Sequence, residues 1–164
     1  VTDNNNKDKD NGKYSLTNTV DLPLIESAGG LVCNDDNCIL MMFKRGKWDL
    51  PKGRVEKDDT TVAALREVHE ECGVKLKKLE ITGKLPPTWH TTKHSGTSYL
   101  KKTHWFLMHY HGHSDDVEPQ VEEGIIECRW VHLSELGQYR DKIHPRINYV
   151  IEFWHKNLAY VPRK

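Results

Sequence analysis

Residues 53–74, GRVEKDDTTVAALREVHEECGV, hold three glutamates at helical spacing: Glu67, Glu70 and Glu71. At about 100° per residue they fall within an arc of about 100°. Val62, Leu65, Val68 and Cys72 fall on the opposite side. The pattern predicts a helix over 60–71, with its apolar face on a sheet and its carboxylates projecting together away from it. Gly73 stands where a helix end favours a left-handed residue. Side chains three and four apart have Cβ atoms about 5–6 Å from each other, so like charges there destabilise a bare helix by a few tenths of a kcal/mol per pair. A divalent cation reverses the sign of that interaction, and Mg²⁺ commonly joins a few carboxylates to substrate phosphates. A solvated glutamate-rich helix face has the same spacing. Against that plainer reading, the preceding PKGRVE at 51–56 brings a glycine-bearing turn and a further carboxylate, Glu56, to the helix start.

Short apolar runs alternate with turn signals around this helix. A strand is expected over 24–32, carrying Ala28, Gly29 and Gly30. A turn at 34–37 and a returning strand over 38–43 make these a hairpin. Residues 48–50 read as a short extended piece stopped by Pro51. Further strands are expected over 77–84, 103–110 and 125–131. A short helix begins at Ser134, and a C-terminal helix runs over 147–158. Residues 1–21 are polar, rich in Asn, Asp and Lys, and read as a disordered arm or linker. The chain begins with Val1 rather than Met and is read as trimmed. Residues 22–164 read as one domain, with no internal repeat.

The chain has 164 residues, with Lys plus Arg 24 and Asp plus Glu 24, so its formal net charge is zero. That balance argues against a general nucleic-acid or anionic-membrane binder, which needs a basic excess. No apolar run approaches the roughly 18–20 residues of a membrane span, and no secretory signal is visible. The four cysteines, Cys33, Cys38, Cys72 and Cys128, form no C-x-x-C pair. They read as free thiols of a cytoplasmic protein. His109, His111 and His113 alternate and read as an exposed strand end rather than a zinc site.

The stretch from Gly53 to Val74 resembles the Nudix box, G-x5-E-x7-R-E-U-x-E-E-x-G-U with U aliphatic. Gly53 matches its first glycine, and Arg66-Glu67-Val68-His69-Glu70-Glu71-Cys72-Gly73-Val74 matches its second half. Ala28-Gly29-Gly30, Trp48-Asp49-Leu50-Pro51-Lys52-Gly53 and Trp130-Val131 are similar to the family's flanks. The spacing from Gly53 to Arg66 is one residue shorter than the pattern's. The acidic position after the first glycine therefore falls on Asp58 or Asp59 instead of a glutamate. Either aspartate is expected to cap the helix, leaving the metal site intact.

The resemblance implies an α/β Nudix fold, a mixed sheet sandwiched between helices in an α/β/α arrangement. It implies an enzyme, a pyrophosphohydrolase of nucleoside-diphosphate-linked compounds that uses Mg²⁺ or Mn²⁺. On that basis Glu67, Glu70, Glu71 and the Gly53 carbonyl are expected to hold one to three cations. Arg66 is expected to orient a carboxylate. Glu70 is a candidate general base, with Glu122 and Glu123 on a later loop as contenders. Lys52, Arg54, Lys102 and His104 are candidate substrate contacts, and Trp89, His90, Tyr99 and Trp105 surround strands where a base could stack. The stretches 50–56 and 63–68, with 102–108, look most like the diadenosine and inositol polyphosphate hydrolases. The expected substrate is a dinucleoside polyphosphate, a small nucleotide partner handled by a monomer or homodimer. Two alternatives stay open: a nucleotide-sensing domain without turnover, suggested by the shortened loop, and an RNA 5′-pyrophosphohydrolase, which would want a basic track beside the site.

Overall fold

The computed structural model describes residues 21–158. The arm expected over 1–21 lies, apart from Asp21, outside the described residues. The strands are β1 Leu24–Cys33, β2 Cys38–Lys44, β3 Lys47–Asp49, β4 Lys52–Arg54, β5 Leu79–His94, β6 Thr97–Tyr110 and β7 Ile125–His132. The helices are α1 Thr60–Cys72, between β4 and β5, and α2 Pro145–Leu158, after β7. Short 3₁₀ turns span Val121–Glu123 and Leu133–Gln138.

The sheet is mixed. β6 pairs with β5 antiparallel and with β1 parallel along the whole of β1, from Leu24↔Leu100 to Cys33↔His109. β2 pairs antiparallel with β7 and β3. Alternation along the strands feeds two cores. Ala28, Val32, Leu40, Met42, Phe106 and Met108 pack under α1 with Ala63, Ala64, Val68 and Cys72. Leu31, Ile39, Met41 and Trp105 face the other way and pack with Ile147, Val150, Ile151 and Trp154 of α2. A strand's two faces are both apolar only when both are covered, and the expected α/β/α sandwich is what the sheet builds.

Three local readings differ from the structure. The hairpin over 24–43 holds for a single pair, Cys33↔Ile39. The edge of β1 that β2 would use is taken by 51–54: the Gly30 N–H donates to Pro51 O at 3.1 Å, and Ser27, Ala28 and Gly29 pair with β4. Part of the expected turn at 51–56 is therefore strand. β5 runs ten residues beyond its expected end at Lys84 to His94, through Pro86 and Pro87. It is an edge strand, and the register shifts between Leu85 and Thr88, so two missing donors cost no ladder bond. Ser95 and Gly96, at φ 50° and 79°, then close a tight hairpin into β6. On α1 the buried residues are Ala63, Ala64, Val68, Glu71 and Cys72, while Val62 is exposed. The docked face is rotated toward Glu71.

Candidate active site

Helix α1 opens at Asp59, whose C=O accepts from the Ala63 N–H at 2.9 Å but whose side chain makes no cap bond. The expected aspartate cap is absent. Asp58 instead reaches Arg66, with Oδ2 3.5 Å from Nε. The helix closes at Gly73, in the left-handed region at φ 73°, with its N–H on His69 O at 2.8 Å. A Cβ there would meet the Glu118 backbone, so glycine is required twice over.

Between these ends the three glutamates differ in environment. Glu71 is 6% exposed. Its Oε1 accepts the Lys52 N–H at 3.2 Å, and its Oε2 is buried with no hydrogen-bond partner. Burial pushes its carboxyl up to about 7, opposed chiefly by the Lys52 charge. Glu67 lies against Gly53, where a Cβ would collide with the carboxylate. Burial raises its pKa as well, against the pull of Arg66. Glu70 is the open one, its side chain 43% exposed. Arg66 is the shared counter-charge: Nη1 lies 2.8 Å from Glu67 Oε1 and 3.5 Å from Glu70 Oε2, and Nη2 donates to Arg54 O at 3.3 Å.

These groups line a polar cleft of about 380 Å³ between α1, β4 and the 120–123 turn. Of the residues singled out from sequence, the fold brings Lys52, Gly53, Arg54, Glu56, Arg66, Glu67, Glu70, Glu71 and Glu123 to this cleft. Glu122 faces a neighbouring recess beside Glu70. Lys102 and His104 do not line the cleft. Lys102 Nζ sits 5.0 Å over the Trp89 ring, and His104 Nε2 lies 3.1 Å from Glu26 Oε1. Lys44, Gln120 and Lys101 join the lining. No spacing signal marked Lys44, because β2 carries it past the apolar run. His109, His111 and His113 each pair with a carboxylate, of Asp35, Glu80 and Asp115. A second recess of about 440 Å³, walled by Leu107, Leu133 and Trp154, holds none of the expected site residues.

Among the described residues no three acidic, histidine or cysteine groups close into a ready metal cage. Arg66 stands among the carboxylates as the cation they share. The donor set fits a hard divalent cation nonetheless. It is all oxygen, and Glu71 Oε2 is a buried acceptor awaiting a partner. No described helix is long and apolar enough to cross a membrane.

Comparison with known proteins agrees with this geometry. The chain is 30% identical over 134 residues to an RNA pyrophosphohydrolase of Roseobacter denitrificans, covering 70% of this chain and 81% of that protein. It is 26% identical over 129 residues to one of Sphingopyxis alaskensis, covering 70% and 82%. Among solved structures, a C. elegans Ap4A hydrolase binary complex is similar with TM-score 0.64 at 19% identity, covering 84% of this chain and 99% of that one. A NUDIX hydrolase from Nitrosomonas europaea is similar with TM-score 0.60 at 22% identity, covering 87% and 97%. Residues 23–153 match the NUDIX domain, and the chain belongs to that family.

Proposed function

We propose that this Nudix pyrophosphohydrolase cleaves a phosphoanhydride in a dinucleoside polyphosphate, with Mg²⁺ or Mn²⁺ at the α1 glutamates. The observation that carries the reading is the buried, unpartnered Glu71 Oε2 beside two more helix carboxylates. Glu67, Glu70, Glu71 and the Gly53 carbonyl would hold the cation, with Glu56 a further donor. When bound, such a cation offsets the diphosphate charge and makes a water more acidic.

The chain's own groups supply the rest. Arg66 orients Glu67 and Glu70 from one nitrogen. Lys52 fixes Glu71 through its main-chain N–H while Asp49 anchors its ammonium at 2.6 Å. Arg54 and Lys52 stand on the wall where a phosphate would lie. Glu70, the most exposed of the three glutamates, takes the proton of the attacking water at its carboxylate. Glu123, across the cleft, is the alternative acceptor, and Glu122 is one recess away.

The dinucleoside reading draws on the residues around the box and on the Ap4A hydrolase among the similar folds. A second reading, a 5′-triphosphorylated RNA end, is favoured by the names of the bacterial relatives. One panel separates them: diadenosine polyphosphates, a 5′-triphosphate oligoribonucleotide, nucleotide sugars and ADP-ribose, each with Mg²⁺ and with chelator. Turnover only with the metal, greatest on diadenosine polyphosphates, is the expected result. Preference for the RNA end would replace the substrate. Glu70→Gln should lower kcat by about 10²-fold or more. Unchanged turnover in that variant would remove Glu70 from the reaction.

A further inference from the structure

The α2-facing side of the sheet ends in a row made by Cys33 of β1, His109 of β6 and Glu80 of β5. Leu107 lies one row further in, opposite Leu31 of the apolar core. Trp154 of α2 and Leu133 of the turn after β7 stand over these strand ends and enclose a recess of about 440 Å³ with them. Small-molecule sites typically occupy about 300–1,000 Å³. Among the described residues this recess shares none of its lining with the carboxylate cleft. Its walls are apolar, from Cys33, Leu107, Leu133 and Trp154. Burial pushes the Cys33 thiol up to about 12, as a poorly hydrated wall does.

The rim decides which kind of molecule fits. His111 Nε2 lies 2.7 Å from Glu80 Oε2, and His109 Nε2 lies 2.8 Å from Asp35 Oδ1. The two imidazole rings are 4.6 Å apart, centre to centre. Each carboxylate spends one oxygen on its histidine and has a second to offer. Other polar groups of the wall are engaged within it. Asn34 Oδ1 accepts from the Asp36 and Cys38 N–H groups at 3.1 and 3.0 Å, and Thr82 Oγ1 donates to Leu107 O at 3.3 Å. Among the described residues that line the recess, none is Lys or Arg. The carboxylate cleft, by contrast, counts Lys44, Lys52, Arg54, Arg66 and Lys101 in its lining. A phosphate group therefore finds counter-charges in the cleft and none here. A cation finds the opposite: carboxylates at the mouth and the Trp154 indole within. Glu80 is 61% exposed and Asp35 85%, so each acts as a surface charge that selects the ligand, while the apolar walls supply most of the affinity.

We propose that this recess is a second ligand site, built for an organic cation: an amine whose apolar body lies against Leu107, Leu133 and Trp154 and whose ammonium meets Glu80 at the rim. It is separate from the carboxylate cleft and does not depend on what is hydrolysed there.

The test uses three probes that share an indole body and differ in charge: tryptamine, the alcohol tryptophol and indole-3-acetate. Each is titrated into the full chain at pH 8, where an ordinary imidazole is neutral, and followed by residue-resolved ¹H–¹⁵N NMR. Tryptamine should move the backbone signals of 33–38 and 107–111 and the indole N–H of Trp154. It should bind about two- to fivefold more tightly than tryptophol, the range of one exposed ion pair, with indole-3-acetate weakest. Glu80→Gln should remove most of that advantage and leave tryptophol binding unchanged. Thr82→Trp, at an exposed position of the edge strand β5, should weaken the amine and the alcohol about tenfold or more by taking up the room they need. Should that variant fail to fold, Glu80→Gln decides alone. Equal affinity for the three probes, or tightest binding of indole-3-acetate, would overturn the site. So would shifts confined to Gly53, Glu67 and Glu70, which would put the amine in the carboxylate cleft, or an amine preference that survives Glu80→Gln.

Discussion

Two regions on either side of β4 carry opposite charge, and the same physics acts on both. On the α1 side burial raises the pKa of Glu71 and Glu67. On the α2 side burial lowers that of His90, Lys101 and His144. Each region holds its groups where their charged forms are least welcome, and each leaves buried polar atoms without partners. The difference lies in internal relief. Arg66 stands among the acids and bonds two of them, whereas Asp49 among the bases is already occupied. The acidic side is therefore shaped by a residue that can orient it, and the basic side has no such free counter-charge. Regions of this kind trade stability for function.

The largest test of that contrast is Glu71→Gln. Above pH 7 the wild-type carboxylate is charged while buried, so the neutral amide should stabilise the metal-free protein by on the order of 1–3 kcal/mol, read as a later urea midpoint. The same variant should lose about 10²-fold or more in turnover, since the proposed cation would lose a buried carboxylate. A destabilised Glu71→Gln protein at pH 8 would break the comparison.

Gly53→Ala drives a methyl group into the Glu67 carboxylate. It should cost about 1–3 kcal/mol, the usual range for overpacking, and lower turnover by displacing Glu67 from Arg66. Thermal melts and steady-state rates on one preparation check both effects.

The basic side predicts an opposite pH response. The His90 pKa falls from 6.5 to about 4 on folding, so the unfolded chain binds a proton that the native one refuses. Its contribution to stability is present above pH 6.5 and is lost as pH falls toward 4. The residue is part-exposed, so screening reduces the effect to about 1 kcal/mol. Urea midpoints from pH 4 to 7 should fall more steeply for wild type than for His90→Gln. Parallel curves would mean that His90 is not held neutral.

The smallest effect belongs to the shortened loop. Asp58 is about half exposed and lies 3.5 Å from Arg66 Nε. Asp58→Asn should cost no more than about 0.5 kcal/mol and should leave Arg66 bonded to Glu67. A tenfold fall in kcat/KM would instead make Asp58 a working substitute for the missing glutamate.

Much of the acidic cleft was legible because it lies within one helix and its entry. Periodicity puts Glu67, Glu70 and Glu71 together, and Gly53 and Gly73 mark its ends. The period alone left the helix rotation open: Val62 turned out exposed and Glu71 buried. The basic groups on the α2 side were much less legible. Lys101 and His90 meet across two strands, and they join Lys52 and Arg146 only after β5 has continued through Pro86 and Pro87. The strand expected over 77–84 ends short of these prolines, and nothing local shows that they sit on an edge where missing donors are harmless.

By itself the amino-acid order determined the α1 helix, its acidic face, its glycine stop and the alternation of strands covered on both sides. These follow from contacts between residues a few positions apart, which helix and strand geometry dictate. Only the tertiary structure decided which glutamate loses its water, that Arg66 rather than a cap engages Asp58, and that four basic groups from β4, β5, β6 and α2 share one corner. Desolvation and uncompensated charge depend on everything packed around a group, and that surrounding comes from segments far apart in the chain.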